Sequence, residues 1–150
     1  MNLFETDFLV DSANVANFLP QQAPFIMVDA LMETTESTAV SQFLIKSDNI
    51  LVNNGVFQES GLIENIAQTI ALKAGYEVAL RNEKPQVGFI VQIKDLEIFE
   101  YPRVGEIINT NIEIILNLQQ MLVIRGKSFS RNKPLIKCEM RVFIDNPMQS

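Results

Sequence analysis

Gly61-Leu62-Ile63-Glu64-Asn65-Ile66-Ala67-Gln68 places a carboxylate and an amide one helical turn apart inside an otherwise apolar segment. At roughly 100° per residue, Glu64, Gln68, Ala71 and Gly75 fall within one narrow stripe, with Gly61 beside it. Ile63, Ala67, Ile70, Ala74 and Val78 form an adjoining arc that predicts the buried face. Glu64 therefore borders the core, where a charge needs a partner, a shifted pKa or a job. The small neighbours leave room for another backbone or a thin ligand to approach it.

The chain has no histidine, which removes the serine and cysteine triads and most zinc sites. Proton transfer is left to carboxylates, water or amides, and neither a metal nor a cofactor is expected. Cys138 is the only cysteine, so no intrachain disulfide or CxxC pair can form, and a reducing compartment follows. It alternates with Ile136, Met140 and Val142, which predicts a buried thiol on a strand face.

With 150 residues and 47% hydrophobic content, the chain is expected to form one domain over residues 1–150. Met1 to Leu19 has acidic residues and no basic flank before an apolar run, which argues against a secretory signal, and no run reaches membrane-spanning length. A cytoplasmic protein without membrane insertion is expected. A net charge of −6 and scattered Lys and Arg argue against a nucleic-acid binder, which needs a basic face.

Ser12 is placed to cap a short helix over about 12–18, burying Val15, Phe18 and Leu19, with Pro20 ending it. Phe25 to Val28 and Ala39 to Ile45 read as strands. A turn-rich stretch, Lys46 to Gly55, leads to a central helix over about 57–80 that stops before Asn82 and Pro85. Beyond Pro85 the hydrophobic period switches to two. Val87, Phe89, Val91 and Ile93 are expected on one strand face, and Ile112, Ile114, Leu116 and Leu118 on another. Leu122 with Ile124, and Ile136 through Ile144, continue the alternation, with turns at Asn117–Gln120 and Arg131–Pro134. The result is an α+β domain in which an antiparallel sheet of about five to six strands wraps one long helix and leaves an edge for another chain.

Three pieces of the sequence resemble the hotdog-fold 3-hydroxyacyl-[acyl-carrier-protein] dehydratases of the FabZ and FabA kind. Leu19-Pro20-Gln21-Gln22-Ala23-Pro24-Phe25-Ile26-Met27-Val28-Asp29 is similar to the family signature LPHxxPFLLVD, and Glu64 to Gln68 is similar to its helix motif ExMAQ. Asn54-Gly55 before the helix and Val87-Gly88-Phe89-Ile90 after it look most like the branch found in aryl-polyene pathways. The resemblance implies an acyl-thioester protein of fatty acid or polyene biosynthesis, taking an acyl carrier protein or coenzyme A thioester. It implies a homodimer or higher oligomer, with Glu64 as catalytic acid and Gln68 beside it. Gly55, Gly61, Ala71 and Gly75 would then line the substrate. Gln68 is equally readable as a structural amide, and Gly61 and Gly75 as packing positions.

Typical members carry a catalytic histidine in a GHFP segment, where this chain has Ser47 to Gly55 without an imidazole; Gln21 replaces the histidine of the first signature. Asp48, Asn53 and Asn54 are the candidate replacements by position. Two alternatives follow: an inactive dehydratase-like subunit completing a hetero-oligomer with an active homologue, or a hotdog acyl thioesterase in which Glu64 activates water or attacks the thioester. Lys73, Arg81, Lys84 and Arg103 are the candidates for a carrier-facing basic patch.

Overall fold

The computed structural model describes residues 8–145 apart from Pro85; the expectation for Met1 to Leu19 therefore lies partly outside the described residues, and the role of Pro85 wholly so. Its centre is helix α1, Glu59–Leu80. The helix ends in a Schellman arrangement. Asn82 takes a left-handed φ of 54°, its N–H reaches Ala79 O, and the Glu83 N–H reaches Val78 O.

Strands β1 (Ala30–Thr34), β2 (Thr38–Leu44), β5 (Val87–Ile98), β6 (Ile107–Leu118), β7 (Met121–Ser130) and β8 (Lys133–Asp145) form a six-stranded antiparallel sheet in the order β1-β2-β6-β7-β8-β5. A separate hairpin, β3 (Val52–Asn53) and β4 (Val56–Phe57), leads into the helix. One long helix on one antiparallel sheet is the hotdog arrangement expected from the sequence.

The buried face of α1 differs from the expected arc. Ile70 and Val78 of that arc are buried as expected, but Leu62, Asn65, Ile66, Thr69 and Leu72 are buried as well, whereas Ile63 and Ala67 are half-buried and Ala74 is exposed. The sheet selects this side because Gly126 on β7 lets Ile66 sit against bare backbone; a Cβ there would lie 2.5 Å from Ile66 Cγ2.

The short helix shrinks to a single 3₁₀ turn, Val15–Phe18. Asp11 rather than Ser12 organises its start: the Asp11 carboxylate accepts from the Asn14 N–H at 3.1 Å, and the Asp11 carbonyl accepts from the Val15 N–H. The expected strand at Phe25–Val28 is also absent, and the first strand begins at Ala30. The backbone there bonds to side chains of α1 instead of to a ladder.

Two bulges redirect the strand faces. An extra residue between Ile90 and Gln92 puts Phe89, opposite Phe143, on one face and Ile93, opposite Met140, on the other. Another between Ile114 and Leu116 keeps Ile112 and Ile114 with the core but turns Leu116 and Leu118 outward, where they are 47% and 54% exposed. The β8 alternation holds, with Ile136, Cys138, Met140 and Val142 buried. Burial raises the Cys138 thiol pKa to about 11.

Candidate functional site

The helix presents Glu64 and Gln68 one turn apart, and Gln68 Nε2 donates to Glu64 Oε1 at 2.8 Å. The same nitrogen donates to the Phe25 carbonyl at 2.9 Å, while Gln68 Oε1 accepts from the Met27 N–H at 2.7 Å. Gln68 is completely buried, with both of its N–H groups committed. Its amide is therefore spent within the chain, where it fixes one oxygen of Glu64. Glu64 is half-buried, and among the described residues Gln68 is the only hydrogen-bond partner of its carboxylate. One carboxylate oxygen is thus held while the other stays available.

Asn65 extends this clamp in the opposite direction. Its Nδ2 donates to the Met27 carbonyl at 2.7 Å, and its Oδ1 accepts from the Thr110 hydroxyl, which in turn bonds Ser128 Oγ at 2.8 Å. Thr69 donates to the Asn65 carbonyl at 2.8 Å and meets Ser41 Oγ at 2.7 Å. All these side chains are buried. The network anchors the clamp to β2, β6 and β7, and a fully satisfied buried network fixes geometry because losing any member strands another. The signal for it was present in the sequence. Ser41 lies between Ala39 and Phe43, and Thr110 between Ile108 and Ile112, so polar residues occupy inward positions of apolar faces.

The Asp29 carboxylate accepts the Leu44 N–H at 2.7 Å, joining the clamped segment to β2. Desolvation raises its pKa, against the opposing effects of the Leu44 hydrogen bond and the Lys46 charge. Asn49 Nδ2 contacts Met27 Sδ at 3.3 Å, tying the preceding loop to the same segment.

Asp48, Asn53 and Asn54 are exposed, and among the described residues none bonds to Glu64. Asn54 and Gly55, with φ of 53° and 76°, form the tight turn between β3 and β4, which accounts for their residue types. Gly61 and Gly75, expected beside substrate, are accounted for by packing within the chain. A Cβ on Gly61 would lie 2.4 Å from the Phe57 ring, and one on Gly75 would lie 2.3 Å from the Phe18 carbonyl oxygen. Ala71 is half-buried on the Glu64 side of the helix. Among the described residues no cluster of metal-ligating side chains occurs, and no helix is long and apolar enough to cross a membrane.

The other notable feature is β5. This edge strand, on the opposite side of the sheet from β1, exposes Val87, Phe89, Ile90, Val91, Ile93 and Leu96, at 38–56% each. Apolar exposure on both faces of a long edge is a surface made to be covered.

The model of the ApeP-like family, described as ApeP dehydratase, matches residues 13–150. The chain belongs to the ApeP-like dehydratase family. Among solved structures, the dehydratase heterocomplex ApeI:P from Xenorhabdus doucetiae is similar with a TM-score of 0.81 at 16% identity, covering 89% of this chain and 92% of that one. A hypothetical thioesterase from Streptococcus pneumoniae, solved with coenzyme A, has a TM-score of 0.63 at 10% identity, covering 77% of this chain and 84% of that one. The PaaI protein of the E. coli phenylacetic acid degradation operon gives 0.61 at 10% identity, covering 75% and 80% respectively. At these identities the structures share the fold with this ApeP-like chain. No curated protein sequence matches it.

Proposed function

We propose that this ApeP-like chain is one half of a composite, cytoplasmic 3-hydroxyacyl-thioester dehydratase, supplying the acid while a second hotdog subunit supplies the base. The observation that carries the reading is the Glu64 clamp: a half-exposed carboxylate held at one oxygen by a buried amide that is itself fixed to Phe25 and Met27. Such fixation is what an acid needs to meet a leaving group in one orientation.

In the reaction, the partner's base takes the proton next to the thioester carbonyl. Electrons move into the forming double bond, the β-carbon–oxygen bond breaks, and protonated Glu64 gives its proton to the departing hydroxyl, releasing water and a 2-enoyl thioester. The proton on the base returns to Glu64 through solvent, closing the cycle. The developing enolate oxygen requires donors. At the helix start, Gly61 and Leu62 N–H already bond the Gln58 carbonyl, which leaves the Glu59 and Ser60 N–H groups for that task.

The absence of histidine from the sequence supports a base from outside the chain, and the open apolar edge of β5 supports a second subunit adding its strand there. Family membership and the likeness to a dehydratase heterocomplex agree with this assignment. The test is an assay of 2-enoyl hydration, 3-hydroxyacyl dehydration and thiol release, run on the purified chain alone and after co-expression with a second hotdog subunit. The composite site requires dehydration only in the mixed assembly. Full dehydration by the chain alone would contradict it, and thiol release without dehydration would make the protein a thioesterase.

A further inference from the structure

The outer face of the sheet, turned away from the core, divides into an apolar and a charged half. On β8 the core-facing residues are Ile136, Cys138, Met140 and Val142, so Arg141, Phe143 and Asp145 point the other way. Cross-strand register sets Phe143 in one row with Phe89 on β5, Met121 on β7 and Leu118 on β6. Phe89 and Leu118 are more than half exposed, and Phe143 is 36% exposed despite a strand on either side. Large apolar side chains abreast on an outward sheet face form a surface that association would cover. Further along the strands the face turns polar, with Arg125, Glu139 and Lys94 abreast.

Arg141 stands at the border of the two halves, between Gln92 and Val123. Its Nε is buried without a hydrogen-bond partner, and among the described residues its guanidinium forms no salt bridge. What can complete it from outside the chain is a carboxylate at its terminal nitrogens. Asp145 is exposed, lies as far from Phe143 on the other side, and likewise forms no salt bridge among the described residues.

These positions are self-complementary. When two such faces pack about a two-fold axis running along the Phe143 row, each residue of the row meets its own copy. A residue two places before Phe143 then meets the residue two places after it. Arg141 of each copy faces Asp145 of the other. An axis along the strands would instead set Arg141 against Arg141, so charge selects the first arrangement. The charged half lies beyond the contact and stays in water, which gives an apolar centre with a polar rim.

We propose that this face docks a second copy of the chain, back to back through the Phe143 row and closed by two reciprocal Arg141–Asp145 pairs. The free backbone edge of β5 takes no part in the contact. Strand addition at that edge and back-to-back packing are therefore compatible, and the inference does not rest on the dehydratase reading.

Sedimentation velocity of the purified chain over a micromolar concentration series tests it. Arg141→Asp sets carboxylates against each other across the axis, and Asp145→Arg does the same with guanidinium groups. Each weakens back-to-back association by about tenfold or more and thereby halves the mass of the largest species. The double variant Arg141→Asp/Asp145→Arg restores both the pairs and the wild-type mass. Asp145 is exposed near the end of β8, so its reversal tests the pairing even where Arg141→Asp fails to fold. Phe143→Lys halves the mass by breaking the row itself. A wild type that stays monomeric, single variants of wild-type mass, or a double variant no better than the singles overturns the proposal. Loss of mass only in the mixed hotdog assembly, with the chain alone unaffected, gives the face to the second subunit and overturns the self-pairing.

Discussion

The clamp around Met27 and the strand β5 are opposites. At the clamp, the completely buried Gln68 and Asn65 satisfy both backbone groups of buried Met27 and the carbonyl of Phe25 from within the chain. Along β5, large apolar side chains on both faces meet solvent and, among the described residues, the outer backbone edge has no strand beside it. One region is finished when the chain folds, and the other, under the proposed function, is finished by a second subunit. Glu64, with one oxygen held and one free, belongs to the finished half.

Substitutions can break this contrast from either side. The largest effect is expected at Gln68→Ala, which strands the buried Met27 N–H and leaves the part-buried Phe25 carbonyl without its partner. A buried group left unpaired costs about 1–3 kcal/mol and a part-buried one less, so chemical denaturation should show roughly 1–4 kcal/mol lost. A loss below about 0.5 kcal/mol would show that the clamp is not load-sharing in the way described. On the open side, Val91→Asp should leave monomer stability within about 0.5 kcal/mol, because the residue is 56% exposed, yet weaken association by at least about tenfold. Sedimentation velocity across a concentration series measures it, and unchanged association would move the interface elsewhere.

Gly75→Ala comes next. Its new methyl group meets the Phe18 carbonyl at 2.3 Å, and a backbone atom yields less readily than a side-chain end, so a loss of about 1–3 kcal/mol is expected by thermal or chemical unfolding. If chain packing were not the reason for this glycine, stability would not change.

The smallest effect belongs to Asp29. Its pKa is raised in the folded state, so its contribution favours folding below the ordinary carboxylate value of 3.8 and is lost as pH rises through the folded value. Asp29→Asn can still accept the Leu44 N–H, and at pH 7 it should therefore match or slightly exceed wild-type stability. A clear loss at pH 7 would show that the charge itself matters, through Lys46.

The sequence made the helix, its Glu64–Gln68 pair, the strand-rich second half and the Cys138 face legible because each follows a local period or a short motif. The helix orientation was not legible. Ile63, Ala67 and Ala74 offer as plausible an apolar arc as Leu62, Ile66 and Leu72, and Gly126, far along the chain, decides between them by admitting Ile66. The faces of β5 and β6 depart from the alternation past Val91 and Ile115 because a bulge inserts a residue without a mark in the hydrophobic pattern. The segment Phe25–Val28 reads as a strand since its residues suit one, but its hydrogen bonds go to α1 side chains that only the tertiary structure brings near. Gly61 and Gly75 have the same origin: their neighbours Phe57 and Phe18 explain them, and the helix alone does not.

The most direct measurement is dehydration turnover of a 3-hydroxyacyl thioester by the mixed hotdog assembly containing wild-type chain or Glu64→Gln. The amide preserves shape and can still accept from Gln68, but it cannot deliver a proton. The account predicts intact assembly, retained acyl binding and a turnover loss of about 100-fold or more, the scale of a lost general acid. Unchanged turnover in an assembly of unchanged composition would contradict it and leave Glu64 a structural carboxylate.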